Sequence, residues 1–518
     1  MSPSFRFRLS AFSYCLAAWL GLFTSQPPVR AHDASRYFAI QVVDDQTGRG
    51  VPLVELRTVH EVRWVTDSAG LVAFDEPGLM DRDVFFHVSS HGYEYPADGF
   101  GYRGKTLRTT PGTRAVLKIK RLNLAERLYR VTGAGIYRDS QLLGEPTPLG
   151  KPLLNAEVLG SDSVLTAEYQ DKLFWFWGDT NRLRYPLGNF QVTGATSKLL
   201  NRGGLDAAKG VDFDYLTGDK GFVRPLAKMP GSGPTWLTAV ATLPDAQGRD
   251  RMVATYVKVK PPLEVYARGI ALWNGDSQEF EHRAAIDMKA LVFPEGHTLR
   301  HSVGGVEYLY FATPYALLRT RATVEDFERL ERYEAFTCLR DGSRLEEGLI
   351  DRDEQGRARY VWRKNTPFVG PADQAKLIAA GKLKGDEAWL RPRDRDSGEI
   401  ITLHAGSVAY NAFRRRWIML AVQSGGRSYL GEMWYAESDQ PHGPWHEVVR
   451  IATHTRYSFY NPKHHPQFDA AGGRYIFFEG TYTHTFSGNN EPTPRYDYNQ
   501  VMYRLDLSDE RLRGKAES

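Results

Sequence analysis

Leu173-Phe174-Trp175-Phe176-Trp177-Gly178-Asp179-Thr180 places four successive aromatics directly before a glycine, a carboxylate and a hydroxyl. Aromatic-rich apolar runs of this length, stopped by Gly, predict a core strand. The polar residues then fall where the strand reaches the surface. Tyr475-Ile476-Phe477-Phe478 repeats the layout, running into Glu479-Gly480-Thr481-Tyr482. Two aromatic strands that each deliver an acid to a rim predict a carbohydrate-type cleft.

Outward from these strands, five segments share one grammar: a polar or glycine-rich entry strand, an aromatic strand, and a strand ending in a turn. They cover Leu154 to Ser197, Pro234 to Glu281, His301 to Leu339, Ile401 to Ala452 and Tyr457 to Leu507. Repetition of short strands every several tens of residues predicts a propeller, and five units predict five blades. Residues 340–400 break the rhythm as an insertion. Within it Asp373 to Ala380 reads as helical, with Asp373 as N-cap and Gly381 as the stop.

Upstream, residues 35–121 predict a small β-sandwich. Phe38 to Val43 is a strand, Asp44 to Pro52 a turn-rich return, and Val54 to Val59 and Trp64 to Phe74 further strands. Residues 122–149 read as a connector before a propeller at 150–510. The expected fold class is all-β, a five-bladed propeller preceded by a sandwich.

The chain has 518 residues, of which 42% are hydrophobic, 25% charged and 12% aromatic. The first two values are ordinary for a globular protein, while the aromatic share favours β architecture and suits sugar stacking. Arg6 and Arg8 precede an apolar run from Leu9 to Phe23, and Val29-Arg30-Ala31 offers a cleavage point. Residues 1–31 thus predict a removable signal peptide and a periplasmic or secreted bacterial protein, the alternative being an uncleaved anchor. Their removal takes away three arginines and no acid, leaving 63 basic and 62 acidic side chains. A net charge of +1 with no basic patch excludes nucleic acid as a partner. Cys15 would leave with the signal, so Cys338 stands alone and no disulfide framework exists. A monomer with a carbohydrate partner and no membrane after cleavage is expected.

The motifs resemble those of five-bladed propeller glycosidases, including the arabinanase and β-xylosidase group, the invertase and levanase group, and bacterial endo-D-arabinanases. The first unit is most similar to the last group, in Gly160-Ser161-Asp162-Ser163 before an aromatic strand ending in Gly178-Asp179-Thr180. Ala436-Glu437-Ser438 and Gly443-Pro444-Trp445 resemble an outer-strand turn of these enzymes. Residues 38–74 resemble transthyretin-like folds found beside secreted hydrolases. The resemblance implies hydrolysis of a polysaccharide or oligosaccharide, furanosides included. It also admits a single divalent ion, Ca2+ or another, on the propeller axis with His404 as ligand.

Glycoside hydrolysis needs an acid that protonates the leaving oxygen and a carboxylate acting as base or nucleophile opposite it. Asp162, just before an inner strand, is the candidate base or nucleophile; a turn-capping role is the alternative. Glu479, among Phe478, Tyr482 and Tyr496, is the candidate proton donor, because an apolar setting raises a carboxyl's pKa. Its alternative is a buried acid paired with Arg495. Asp179 and Glu264 are reserves, read otherwise as a turn acid beside Thr180 or Arg182 and as a solvated strand-edge charge. Trp177, Arg268, Tyr460, His464, Tyr482, Arg495 and Tyr496 are candidates for substrate contact. A lyase reading would instead use His404, Tyr460, His464, His465 or Tyr482 as base, with Arg268 or Arg495 neutralising a uronate. A non-catalytic glycan-binding propeller would use exposed aromatics such as Tyr457, Phe459 and Tyr498.

Overall fold

The computed structural model describes residues 33–513. The predicted signal segment 1–31, with Cys15, lies outside them. The described chain is all-β: eight sheets, three short α-helices and several 3-10 turns. None of these helices is long and apolar enough to cross a membrane.

Two four-stranded sheets form the N-terminal part. One joins 71–74, 38–44, 114–121 and 93–94, and the other 63–65, 55–58, 83–89 and 104–108. Strand Asp83–Ser89 alternates buried Val84, Phe86 and Val88 with more open neighbours. Period two sends those three inward against Ile40, Phe74 and Ile119 of the facing sheet.

Six further sheets follow: a small one of Val158–Ser161, Thr180–Arg182 and Tyr185–Asn189, and five larger ones, each built around an antiparallel run of strands. Their first strands are Leu165–Tyr169, Thr235–Pro244, His297–Val303, Leu403–Asn411 and Ser458–His464. Each of the first four of these strands packs against the first strand of the next sheet. The stretch 172–177 shows why the aromatic run is needed. Phe174 and Phe176 face Trp273 and Phe280 of the second sheet. Trp175 and Trp177 face the other way, in a cluster with Phe477 and Met502 of the fifth sheet. A strand buried on both faces has no use for polar alternation, so its period-two signal vanishes. Three more apolar clusters lie between the second and third, third and fourth, and fourth and fifth sheets.

The segment expected as a connector holds a strand, Glu126–Arg130, which hydrogen-bonds along the outer edge of Asn499–Asp506 and completes the fifth sheet. Its Arg127 is buried and donates to the carbonyls of Pro52 (3.1 Å) and His91 (3.0 Å), tying the fifth sheet to the N-terminal sheets. The insertion at 340–400 adds Val361–Arg363 to the third sheet and Arg393–Asp394, in parallel, to the fourth. Its helix spans Pro371–Ala379 with Gly370 as N-cap, displacing the expected Asp373 into the first turn. Proline at the first helical position fixes that start, because its missing N–H is not needed there. Gly381 ends the helix at φ +66° as expected.

Candidate functional site

A cavity of about 690 Å³ opens where the first strands of the five sheets begin. Asp162 and Asp179 from the first sheet's approach, Trp236 from the second, Glu295 and His297 from the third, His404 from the fourth and Tyr460 from the fifth reach it. Three carboxyls thereby share one concave space with imidazoles, phenols and an apolar wall.

Asp162 is seated by its own main chain. Its N–H donates to the Asp179 carbonyl (3.2 Å), and its carbonyl accepts from Gly178 N–H (2.9 Å). Its Oδ2 accepts from the Tyr460 hydroxyl at 2.8 Å, while Oδ1 is buried without a partner. That oxygen lies 2.5 Å from where a Cβ on residue 178 would sit, so only glycine fits there. Burial raises the Asp162 carboxyl above the ordinary range, and the hydrogen bond from Tyr460, with the Tyr498 phenol beside it, acts in the opposite direction.

Asp179 is half-buried and accepts from Trp236 Nε1 at 3.0 Å, rather than pairing with Thr180 or Arg182. Burial, reinforced by the neighbouring Asp162 charge, pushes its carboxyl up to about 7. Glu295 opens onto the cavity, and the desolvation of that concave wall raises its carboxyl, against the charge of Arg268. His297 is held neutral by burial and by the Lys463 charge. His404 is exposed to the cavity and also displaced downward by desolvation.

Of the residues singled out in the sequence, Asp162, Asp179, Tyr460 and His404 meet here, and Trp177 borders the cavity with its indole packed on Trp175, Phe213 and Tyr215. The others lie elsewhere. Glu479 is fully buried in the middle of strand Tyr475–Thr483 and does not line the cavity. Its Oε1 meets His465 Nε2 at 2.8 Å, so its partner is not Arg495. Burial pushes its carboxyl up to about 8 and depresses the nearby Lys463 to about 8. Glu264 is exposed at the start of its strand and ion-paired to Lys260 at 3.1 Å. Arg268 lies over the Phe293 ring, 4.7 Å from its centroid, outside the cavity lining. Arg495 pairs with Asp139 at 3.3 Å.

His464 is buried, with its Nε2 on Asp469 at 2.8 Å. Tyr482 is fully buried, stacked on Tyr457 and hydrogen-bonded to His91 (2.9 Å). Tyr496 is buried and donates to the Thr66 carbonyl at 2.8 Å. Phe459 is also buried, so the expected surface of exposed aromatics does not form. Among the described residues no group of three or more His, Cys, Asp and Glu side chains is placed to hold a metal ion. His404, the ligand expected for a divalent ion on the axis, therefore belongs to no such side-chain group among the described residues.

Sequence reasoning missed Glu295, His297 and Trp236. Pro294-Glu295-Gly296-His297 carried a signal, since it sets a Gly-flanked acid at the mouth of an aromatic unit as Gly178-Asp179 does.

No protein-family model matches this chain, and no curated protein sequence matches it. Solved structures similar to it include an exo-β-1,3-galactanase of Phanerochaete chrysosporium, at 8% identity and TM-score 0.34, covering 67% of this chain and 61% of that one. This chain thus spans about three fifths of that enzyme's length. A GH43_1 enzyme from Xanthomonas citri is similar at 12% identity and TM-score 0.31, over 68% of this chain and 89% of that one. An exo-1,5-α-L-arabinanase from a bovine ruminal metagenomic library is similar at 10% identity and TM-score 0.34, over 68% and 94%.

Proposed function

We propose that this protein is an exported glycoside hydrolase whose five sheets form a five-bladed β-propeller around the cavity. The observation that carries the reading is the meeting of Asp162, Asp179 and Glu295 in one open, partly apolar cavity, the two aspartates raised by burial and the more exposed Glu295 by the desolvation of the cavity wall. Asp162 serves as base or nucleophile, because the Tyr460 phenol bonded to it favours its charged form. Glu295 serves as proton donor. It enters from the third sheet, whereas Asp179 is tied to Asp162 through the main chain and shares its wall. Asp179 tunes the pair by its charge coupling to Asp162.

The substrate is a neutral glycan. Among the described residues the lining includes neither lysine nor arginine. Arg268, whose charge acts on Glu295, stands behind that wall over Phe293, so the lining itself presents no cation to the carboxylate of a uronate. Lyase chemistry on a uronate would require that cation, and the arginines considered for it, Arg268 and Arg495, are engaged with Phe293 and Asp139 outside the cavity. Export rests on the charged and apolar N-terminal stretch before His32.

The test is a screen of arabinans, xylans, fructans and uronate polymers for reducing ends and for ultraviolet-absorbing unsaturated product. The parent should release reducing ends without absorbance from a neutral polymer. Asp162→Asn and Glu295→Gln should each lose about 10²–10⁴-fold in kcat/KM. Absorbance would replace hydrolysis by elimination, and full activity in either variant would remove that residue from its role. Retention on a glycan column with no product would make the chain a binding protein.

A further inference from the structure

We propose that Tyr460 and Tyr498 are positioning residues for Asp162, the Tyr460 hydroxyl bonding its carboxyl and the Tyr498 ring walling it in beside that bond, so that Asp162 is held as the ionised acid of the cavity. The inference deepens the hydrolase reading and rests on it for its meaning in catalysis.

The geometry is specific. Tyr460 comes from strand Ser458–His464 and donates its hydroxyl to Asp162 Oδ2 at 2.8 Å. Tyr498 immediately precedes strand Asn499–Asp506 and lines the same cavity wall as Asp162 and Tyr460. The remaining oxygen, Oδ1, is packed over Gly178 with no donor. Both phenols sit on the fifth sheet and the carboxyl on the approach to the first, so the clamp spans two sheets.

The chain is bent around this contact. Ser163, Asn461 and Tyr498 have φ of 52°, 47° and 58°, a region that costs a non-glycine residue about 1–2 kcal/mol. Two of the three, Ser163 and Asn461, are bonded to each other beside the site. Asn461 Nδ2 donates to Ser163 Oγ at 2.7 Å, next to Asp162. Asn499 Nδ2 donates to the carbonyls of Leu159 (3.2 Å), Arg495 (3.3 Å) and Asp497 (3.0 Å), pinning the loop that presents Tyr498. Gly160 leaves room for the Tyr498 carbonyl, which a side chain at 160 would strike. Backbone strain that neighbours over-determine in this way concentrates at functional sites.

Asp179 has no such clamp. It accepts one hydrogen bond, from an indole, and faces the Asp162 charge. The other titratable groups on the cavity wall are Glu295, His297, His404 and the Tyr429 phenol, none hydrogen-bonded to Asp162. Of two coupled carboxyls on one wall, the one that accepts the Tyr460 phenol ionises first.

The experiment uses the full-length protein carrying ¹³Cγ-labelled aspartate, with the two signals assigned through Asp162→Asn and Asp179→Asn. In the parent, Asp162 should titrate at lower pH than Asp179. Tyr460→Phe should move the Asp162 titration upward by about one pH unit, as loss of a hydrogen bond to a charged group implies, and Tyr498→Phe should move it in the same direction by less. The double variant should move it further. A purely structural tyrosine would shift unfolding midpoints and leave this titration in place. An unmoved Asp162 titration in the folded single variants would overturn the proposal, as would a parent in which Asp179 ionises first. Because the titration is read without substrate, it holds or fails independently of whether any glycan is cleaved.

Discussion

Replacing Glu479 by glutamine separates a core acid from a cavity acid. Glu479 is fully buried against His465, and its carboxyl is pushed from the ordinary 4.5 to about 8. A folded state that raises an acid's pKa binds its proton more tightly than the unfolded chain does. The associated stability is complete below about pH 4.5 and is lost as pH rises through 8. A span of about 3.5 pH units, in which the opposing Lys463 charge is already counted, at about 1.4 kcal/mol each bounds the loss at roughly 5 kcal/mol. Glutamine keeps the shape and a polar partner for His465 but cannot ionise. Urea unfolding at pH 5 should therefore give parent and Glu479→Gln similar stabilities. At pH 8 the variant should be more stable by about 2–4 kcal/mol, a fraction of the bound set by burial. Cleavage should be unchanged. Equal stability differences at both pH values would refute the assignment of a buried, protonated acid, and loss of cleavage in a natively stable variant would return Glu479 to the chemistry.

Gly178→Ala puts a methyl 2.5 Å from Asp162 Oδ1; the protein should fold and lose about 10²-fold or more in kcat/KM, measured beside an unchanged circular dichroism spectrum. Asp162→Asn removes the charge that helps hold Asp179 at about 7, so the Asp179 titration followed by ¹³C NMR should move downward. Glu264→Gln breaks only an exposed ion pair with Lys260 and should leave both kcat/KM and the unfolding midpoint unchanged.

The five units were legible because each carries an aromatic strand of the right length between turns, and all five appear as sheets. The two aromatic strands that looked alike in sequence nevertheless differ in where they stop. Gly178 ends its strand, so Asp179 emerges at the cavity. Gly480 does not, because strand pairing on both sides carries Tyr475–Thr483 past it and leaves Glu479 inside. A glycine fits an extended strand as well as a turn, and only the neighbours decide. Tyr482, Tyr496 and His464 were misplaced for the same reason: an amphipathic side chain reads alike whether its polar tip meets a ligand or a buried carbonyl. Glu295 lay just outside the unit boundary drawn from the hydrophobic pattern, which is where a strand's first turn hides its polar residues.

Strand Glu126–Arg130 belongs to the fifth sheet, yet it is synthesised before any other part of the five sheets. On the ribosome it must wait, unpaired along one edge, until almost four hundred further residues have emerged. Only then can Asn499–Asp506 arrive to cover it. The molecule is consequently fastened by its earliest and latest segments together. Cutting the gene between the N-terminal sheets and residue 131 would not free a dispensable appendage; it would unclasp the part that holds the cavity.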